Sequence, residues 1–165
     1  MANMIWKPAI VALGSNLEQP AQQVTAALRR MAEHPNIRLM KHSSLYLSAP
    51  VGYTDQPDFV NAVCALETTL SSVGLLAELN QIEAEFGRER TFRNAPRTLD
   101  LDIIDYNGES STDPHLTLPH PRAHERSFVM LPLAEILPDF VLGEHGKAAD
   151  LAVNLGSEGI ALLAE

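Results

Sequence analysis

With 165 residues, 45% of them apolar and 20% charged, the chain has the size and balance of one globular domain, 1–165. A net charge of −9 argues against broad nucleic-acid binding, which needs a basic surface. The single cysteine, Cys64, excludes an internal disulfide framework and a cysteine-rich zinc site. Neither a signal-peptide core nor an apolar run near the ~20 residues of a membrane span is present, so we expect a cytoplasmic protein with no membrane partner. A monomer is the expected state.

In chain order, "PAIVALGSNL" reads as a buried strand closed by a turn at "GSN". "PAQQVTAALRRMAEH" follows with Val24, Ala27, Leu28 and Met31 at three- and four-residue spacing, and Pro20 suits its first turn, which predicts an amphipathic helix. "IRLMKHSSLYL" alternates as one strand with apolar markers Ile37, Leu39, Leu45 and Leu47. "SAPVGYTDQPD" has the prolines, glycine and aspartates of a loop. "FVNAVCALETTL" is a second strand, with Cys64 as a packing residue. "SVGLLAELNQIEAEFG" is a second helix, striped by Leu75, Leu76, Leu79, Ile82 and Phe86 and ended by Gly87. "RERTFRNAP" is a second loop, and "RTLDLDIIDYNG" is a strand entering a turn at Asn107-Gly108. "FVMLPLAEIL" begins a third helix and "AADLAVNL" makes a short fourth. Strand–helix–strand–strand–helix–strand is the order of an α+β, ferredoxin-like fold, a mainly antiparallel sheet covered by helices.

The chemistry concentrates in "APRTLDLDIIDY". Residues two apart on a strand share a face, so Asp100 and Asp102 point one way while Leu99, Leu101 and Ile103 point into the core. Two neighbouring carboxylates repel unless a cation, an arginine or a shared proton compensates. Hard oxygen donors without cysteine favour Mg²⁺ or Mn²⁺ over zinc, and Mg²⁺ is commonly held by one or two carboxylates plus substrate phosphates. The bland alternative is a solvated strand face beside Arg97. Six of the twelve basic residues, Arg88, Arg90, Arg93, Arg97, Arg122 and Arg126, lie between 88 and 126, and all are arginine. They make either surface ion pairs or a cluster for a polyphosphate, whose oxygens suit the guanidinium fork. Carboxylates for a metal and arginines for phosphate oxygens together suit phosphoryl transfer. No P-loop or kinase-type glycine loop is present, and the lone glycine of "ALGSNL" is too weak to count as a phosphate cradle.

"RNAPRTLDLDII" resembles the signature of the 6-hydroxymethyl-7,8-dihydropterin pyrophosphokinase family, and the likeness extends through "ALGSNL", "APVGYTDQPDFVNAV", "IEAEFGRER" and "LPHPRAHERSFVMLPLAEI". The resemblance implies a ferredoxin-like fold and a Mg²⁺-dependent transfer of the pyrophosphoryl unit of ATP to the hydroxymethyl oxygen of the reduced pterin, releasing AMP, in folate biosynthesis. It implies that Asp100 and Asp102 hold two Mg²⁺ ions, and that Arg88 and Arg97 face the phosphates. It implies further that His120 and Arg126 form an ATP-side pair and that Glu83 is an acid near the nucleotide. On the pterin side it implies Phe59 and Phe128 as aromatic faces, Asn61 as an amide, and Ser48, Ala49, Val51 and Gly52 as the loop that meets the ring. The chain departs from some members at Asn94-Ala95, where they carry a tryptophan, and at Pro121, where they carry a tyrosine.

Each assignment has a plainer rival. Phe59 and Phe128 suit ordinary core packing, and the strand pattern by itself turns Asn61 to solvent. His34, His42, His115, His124 and His145 read as structural or surface histidines. His120, kept neutral, can donate to a phosphate oxygen, and a loose transition state requires no strong base. Residues 48–58 and 87–97 are expected to close as lids over the substrates. The competing functions are another metal-dependent enzyme using the same carboxylates, such as a nucleotidyl transferase or phosphohydrolase, and a non-catalytic nucleotide- or pterin-binding module.

Overall fold

The computed structural model describes residues 5–17, 19–50, 55–87 and 99–163. Its elements run β1 (Lys7–Ser15), α1 (Pro20–Ala32), β2 (Ile37–His42), β3 (Tyr46–Ser48), β4 (Phe59–Thr68), α2 (Ser72–Glu85) and β5 (Asp100–Tyr106). There follow β6 (Ser111–Asp113), β7 (Leu116–Leu118), α3 (Ser127–Ile136), α4 (Ala148–Leu155) and β8 (Ile160–Leu162). The main sheet has the order β5-β1-β4-β3-β8, with β2 also on β4, and its strand pairs are antiparallel. This is the expected ferredoxin-like α+β arrangement. None of the described helices is long and apolar enough to cross a membrane.

Local chemistry sets the helix ends. Pro20 opens α1, where its missing N–H costs no hydrogen bond. The Ser71 hydroxyl caps α2 by accepting the Gly74 N–H at 3.0 Å, and Gly87 follows the helix at φ 75°.

The two faces of the sheet bury different sets of residues. Val11, Leu13, Cys64, Leu66, Leu101 and Ile103 pack beneath α1 and α2, against Val24, Leu28, Met31, Leu75, Leu79 and Ile82. Cys64 is wholly buried there, and burial pushes its thiol pKa up to about 12, so it is a packing residue. On the other face Ile10, Val63 and Ile104 pack beneath Val129, Met130 and Leu133 of α3 and Ala148 and Ala152 of α4.

The expected single strand over 37–47 is in fact two. Between β2 and β3 the Ser43 N–H donates to the Val63 carbonyl at 2.8 Å, and the Ser43 hydroxyl accepts the Val63 N–H at 2.9 Å. A side-chain oxygen thus replaces a backbone acceptor, and pairing to β4 survives the break. Glu135 of α3 clamps the same break, taking hydrogen bonds from the Ser44 N–H at 3.0 Å, the Ser44 hydroxyl at 2.9 Å and the Tyr46 hydroxyl at 2.7 Å. Burial opposes the Glu135 charge, but these donors outweigh it and hold its pKa below the usual carboxylate value. The β6–β7 hairpin and β8 have no counterpart in the sequence-based expectation.

Asn107 and Gly108 do form the turn after β5. Both have positive φ, 53° and 67°, and the Glu109 N–H closes it on the Tyr106 carbonyl at 2.8 Å.

Candidate active site

Strand register assembles the site. Asp100 lies opposite Gly14 of β1, Gly14 opposite Asn61 of β4, and Asn61 opposite Tyr46 of β3. Asp102 lies opposite Ala12, and Ala12 opposite Val63. Directly opposed residues share a face, so both aspartates stand on the α3 side, while Leu101 and Ile103 enter the core beneath α1 and α2. Both carboxylates are partly buried. The expected shared face of the pair, opposite Leu101 and Ile103, therefore matches the structure.

Glu83 pins this strand. It sits on the buried stripe of α2, only 3% exposed, and its Oε2 accepts the Leu101 N–H at 2.7 Å. Leu101 stands between the two aspartates, so Glu83 fixes the backbone that aims them. A glutamate at the i+4 position from Leu79, inside an apolar helix stripe, was the available sequence signal for this inward role.

His120 docks on the same strand, its N–H donating to the Ile104 carbonyl at 2.8 Å. Its Nδ1 accepts the Arg122 N–H at 3.1 Å, which places the proton of the neutral ring on Nε2. Burial and, next, the Arg126 guanidinium lower its pKa to about 4, while Asp100 pulls the other way. His120 is thus a neutral donor near neutral pH.

A cavity of about 400 Å³ lies beside Arg122 and Arg126, the cationic neighbours of His120, and is lined also by Ser48, Ala49, Phe128 and Glu158 among others. The Arg126 guanidinium stands 5.5 Å from the Phe128 ring centroid, a cation–π contact. Three expected pterin-side residues and one ATP-side arginine therefore meet on one cavity. Arg122 was expected only as part of the arginine cluster. Glu158, which precedes β8, had no sequence signal.

Asn61 corrects the strand-pattern expectation. It is 4% exposed, not solvent-facing, and its Nδ2 donates to the Ser48 hydroxyl at 2.6 Å. The reason is its place at the centre of the sheet, between β1 and β3. Phe59 is partly buried two positions earlier on the same face. Gly14 separates Asn61 from Asp100, and a Cβ there would lie 3.4 Å from Asn61 Oδ1 and 3.8 Å from the Phe59 ring. The glycine dismissed as a phosphate cradle is instead the bare floor between acid and amide. Asn16, also missed, is 2% exposed and holds the far end of the loop before β4, donating to Gln56 Oε1 at 2.7 Å and the Pro57 carbonyl at 3.1 Å.

Arg88, Arg97, Val51 and Gly52 lie outside the described residues, as do Asn94-Ala95, residues 51–54 of the first expected lid and 88–97 of the second. Among the described residues no cluster of three or more His, Cys, Asp or Glu could hold a metal. Two partly buried carboxylates on one strand face, with no soft ligand beside them, suit Mg²⁺ completed by substrate oxygens rather than a closed protein cage.

The sequence model of the 7,8-dihydro-6-hydroxymethylpterin-pyrophosphokinase family matches residues 10–138. The chain is 50% identical over 134 residues to the 2-amino-4-hydroxy-6-hydroxymethyldihydropteridine pyrophosphokinase of Haemophilus influenzae, covering 81% of this chain and 84% of that protein. It is 45% identical over 150 residues to the Pseudomonas aeruginosa enzyme of the same name, covering 91% and 93% respectively. Among solved structures, wild-type Plasmodium falciparum HPPK-DHPS with pteroate superposes with a TM-score of 0.73 at 13% identity. That match covers 93% of this chain but 43% of the solved one, and supports the fold alone. The neutral histidine and paired aspartates thus sit in a matching sequence and a matching fold, and the chain belongs to the 7,8-dihydro-6-hydroxymethylpterin-pyrophosphokinase family.

Proposed function

We propose that the protein transfers the pyrophosphoryl group of ATP to the hydroxymethyl group of 6-hydroxymethyl-7,8-dihydropterin in folate biosynthesis, in a Mg²⁺-dependent reaction. The observation that carries this reading is the pairing of Asp100 and Asp102 on one face, in register with Asn61 and beside His120. In the reaction the substrate oxygen bonds to Pβ as the bond from Pβ to the oxygen kept by AMP breaks, and the hydroxyl proton passes to water.

Asp100 and Asp102 would hold two Mg²⁺ ions, which when bound supply positive charge to the triphosphate. The remaining work falls to the chain. Neutral His120 donates from Nε2 to a phosphate oxygen, and Arg126, with Arg88 and Arg97, offsets the charge that develops as the bridge breaks. Glu83 acts from beneath the nucleotide side by holding Leu101. Phe59 and Phe128 stack against the flat pterin, while Ser48 engages the Asn61 amine and leaves its carbonyl to accept from the pterin edge. Ala49, Val51 and Gly52 complete the pterin-side loop. One chain supplies all of these groups, which supports action as a monomer, and the buried cysteine is consistent with the reducing cytoplasm.

Incubation with Mg²⁺ and ATP, with and without the hydroxymethyl dihydropterin, tests the reading. Pterin-dependent AMP is expected. ADP, or turnover independent of pterin, would point to another phosphoryl-transfer enzyme, and tight ATP binding without AMP to a binding module.

A further inference from the structure

A second cavity, of about 490 Å³, lies on the α3–α4 face at the opposite end of β1 from Gly14, with Pro8, Ala9 and Ile10 in its wall. A bulge in β5 shapes it. Ile10 pairs with Asp105 and Val11 with Ile103, so Ile104 is an extra residue on the β5 side. Strict alternation would send Asp105 beneath α1 and α2. The bulge turns it to the face of Ile10 and Ile104, where it lines the cavity, and returns Tyr106 to the opposite core.

Asp105 is 6% exposed. Its Oδ2 accepts the Gly108 N–H at 3.1 Å, and among the described residues no hydrogen bond or ion pair engages Oδ1. Capping the turn requires one oxygen, which an asparagine provides without charge. A carboxylate here bears a desolvation cost, and burial, aided by Glu109, raises its pKa. The rest of the wall is largely apolar, including Ile10, Leu137 and Phe140, and the mouth carries exposed Met40 and Val141. Among the described residues the charged ones lining the cavity are Asp105 and Glu67, both acidic, and no lysine, arginine or histidine lines it. The volume falls in the range of small-molecule pockets.

We infer that this cavity is a second ligand site, separate from the pyrophosphokinase site, for a small organic cation with an apolar body. Its ammonium or amidinium sits on Asp105 Oδ1 and its ring against Ile10, Leu137 and Phe140. The charge of the carboxylate is then compensated by the ligand, and the apolar wall supplies the remaining affinity.

Amide NMR titration with phenethylammonium and its neutral counterpart 2-phenylethanol tests this. Phenethylammonium at millimolar concentration should give saturable shifts at residues 105–108 and 140–143, and 2-phenylethanol should bind about tenfold more weakly. Asp105→Asn, which keeps an acceptor for the Gly108 N–H, should erase that preference while leaving pyrophosphoryl transfer unchanged. Val141→Lys, at an exposed position, should weaken the cation alone, and decides the matter if Asp105→Asn folds poorly. Equal affinity for both probes, indifference to both substitutions, absence of saturation, or shifts confined to residues 100–102 and 120 would each overturn the inference.

Discussion

The two faces of the central sheet use the same strands for opposite purposes. Beneath α1 and α2 the strands present mainly apolar side chains, with Ser15 and Thr68 at their ends, and the buried carboxylate that enters, Glu83, accepts a backbone N–H. Beneath α3 and α4 the apolar packing takes in Ile10, Val63 and Ile104, whereas Asn61, Asp100 and Asp102 on the same face lie outside that cluster. A polar group thus survives where the helical cover stops. Stability is concentrated on one face and chemistry on the other, although single strands serve both.

That contrast breaks most severely at the metal pair. Asp102→Ala should lower kcat by about three orders of magnitude, near 4 kcal/mol, with little change in Tm, because it removes charge from a cleft and leaves no cavity. Steady-state AMP release alongside a thermal melt checks both halves, and wild-type kinetics would refute the metal assignment. Leu79→Ala on the opposite face should do the reverse, costing about 2–5 kcal/mol in urea unfolding while the surviving folded protein keeps its kcat. Glu83→Ala should cross the divide: an orphaned Leu101 N–H costs about 1–3 kcal/mol of stability, and the loosened strand should also slow turnover. Intact turnover in that variant would show that the aspartates are held by other contacts. Glu135→Ala, on the exposed clamp over the β2–β3 break, should cost about 1 kcal/mol and leave turnover unaffected.

A further effect concerns acid. The pKa of His120 is about 4 in the folded protein, against an ordinary value of 6.5. The unfolded chain therefore binds the extra proton first as pH falls, and the stability tied to neutral His120 is complete above 6.5 and declines toward 4. Melting curves of wild type and His120→Gln between pH 4 and 7.5 should converge as the pH falls. A constant gap would place the ring in a more solvated setting.

Much of the fold was legible because α1 and α2 carry long apolar stripes at helical spacing and β1 and β4 are long, nearly continuous apolar runs, signals that overwhelm others. The aspartate pair was legible because alternation in "LDLDI" already separates the two faces. Strands β6, β7 and β8 are three residues each, too short for any period to register. The break at Ser43 depends on a hydroxyl substituting for a carbonyl, which no hydropathy pattern encodes. Asn61 was misjudged because alternation identifies a face but not whether a helix or a neighbouring strand covers it. The β5 bulge, which reorients Asp105, depends on pairing with a strand some ninety residues earlier in the chain.

The hydrogen bond from Leu101 to Glu83 has a consequence for how this sequence can vary. Side chains on a strand repeat every two residues, so sliding β5 by one position along β1 would drive both aspartates beneath α1 and α2 and expose Leu101 and Ile103. Catalysis and folding share one alignment, and parity is what both depend on. Loss or gain of a single residue within Asp100–Asp102 would eliminate the protein before its chemistry could be tested, whereas changes of two residues preserve the facing of all that follows.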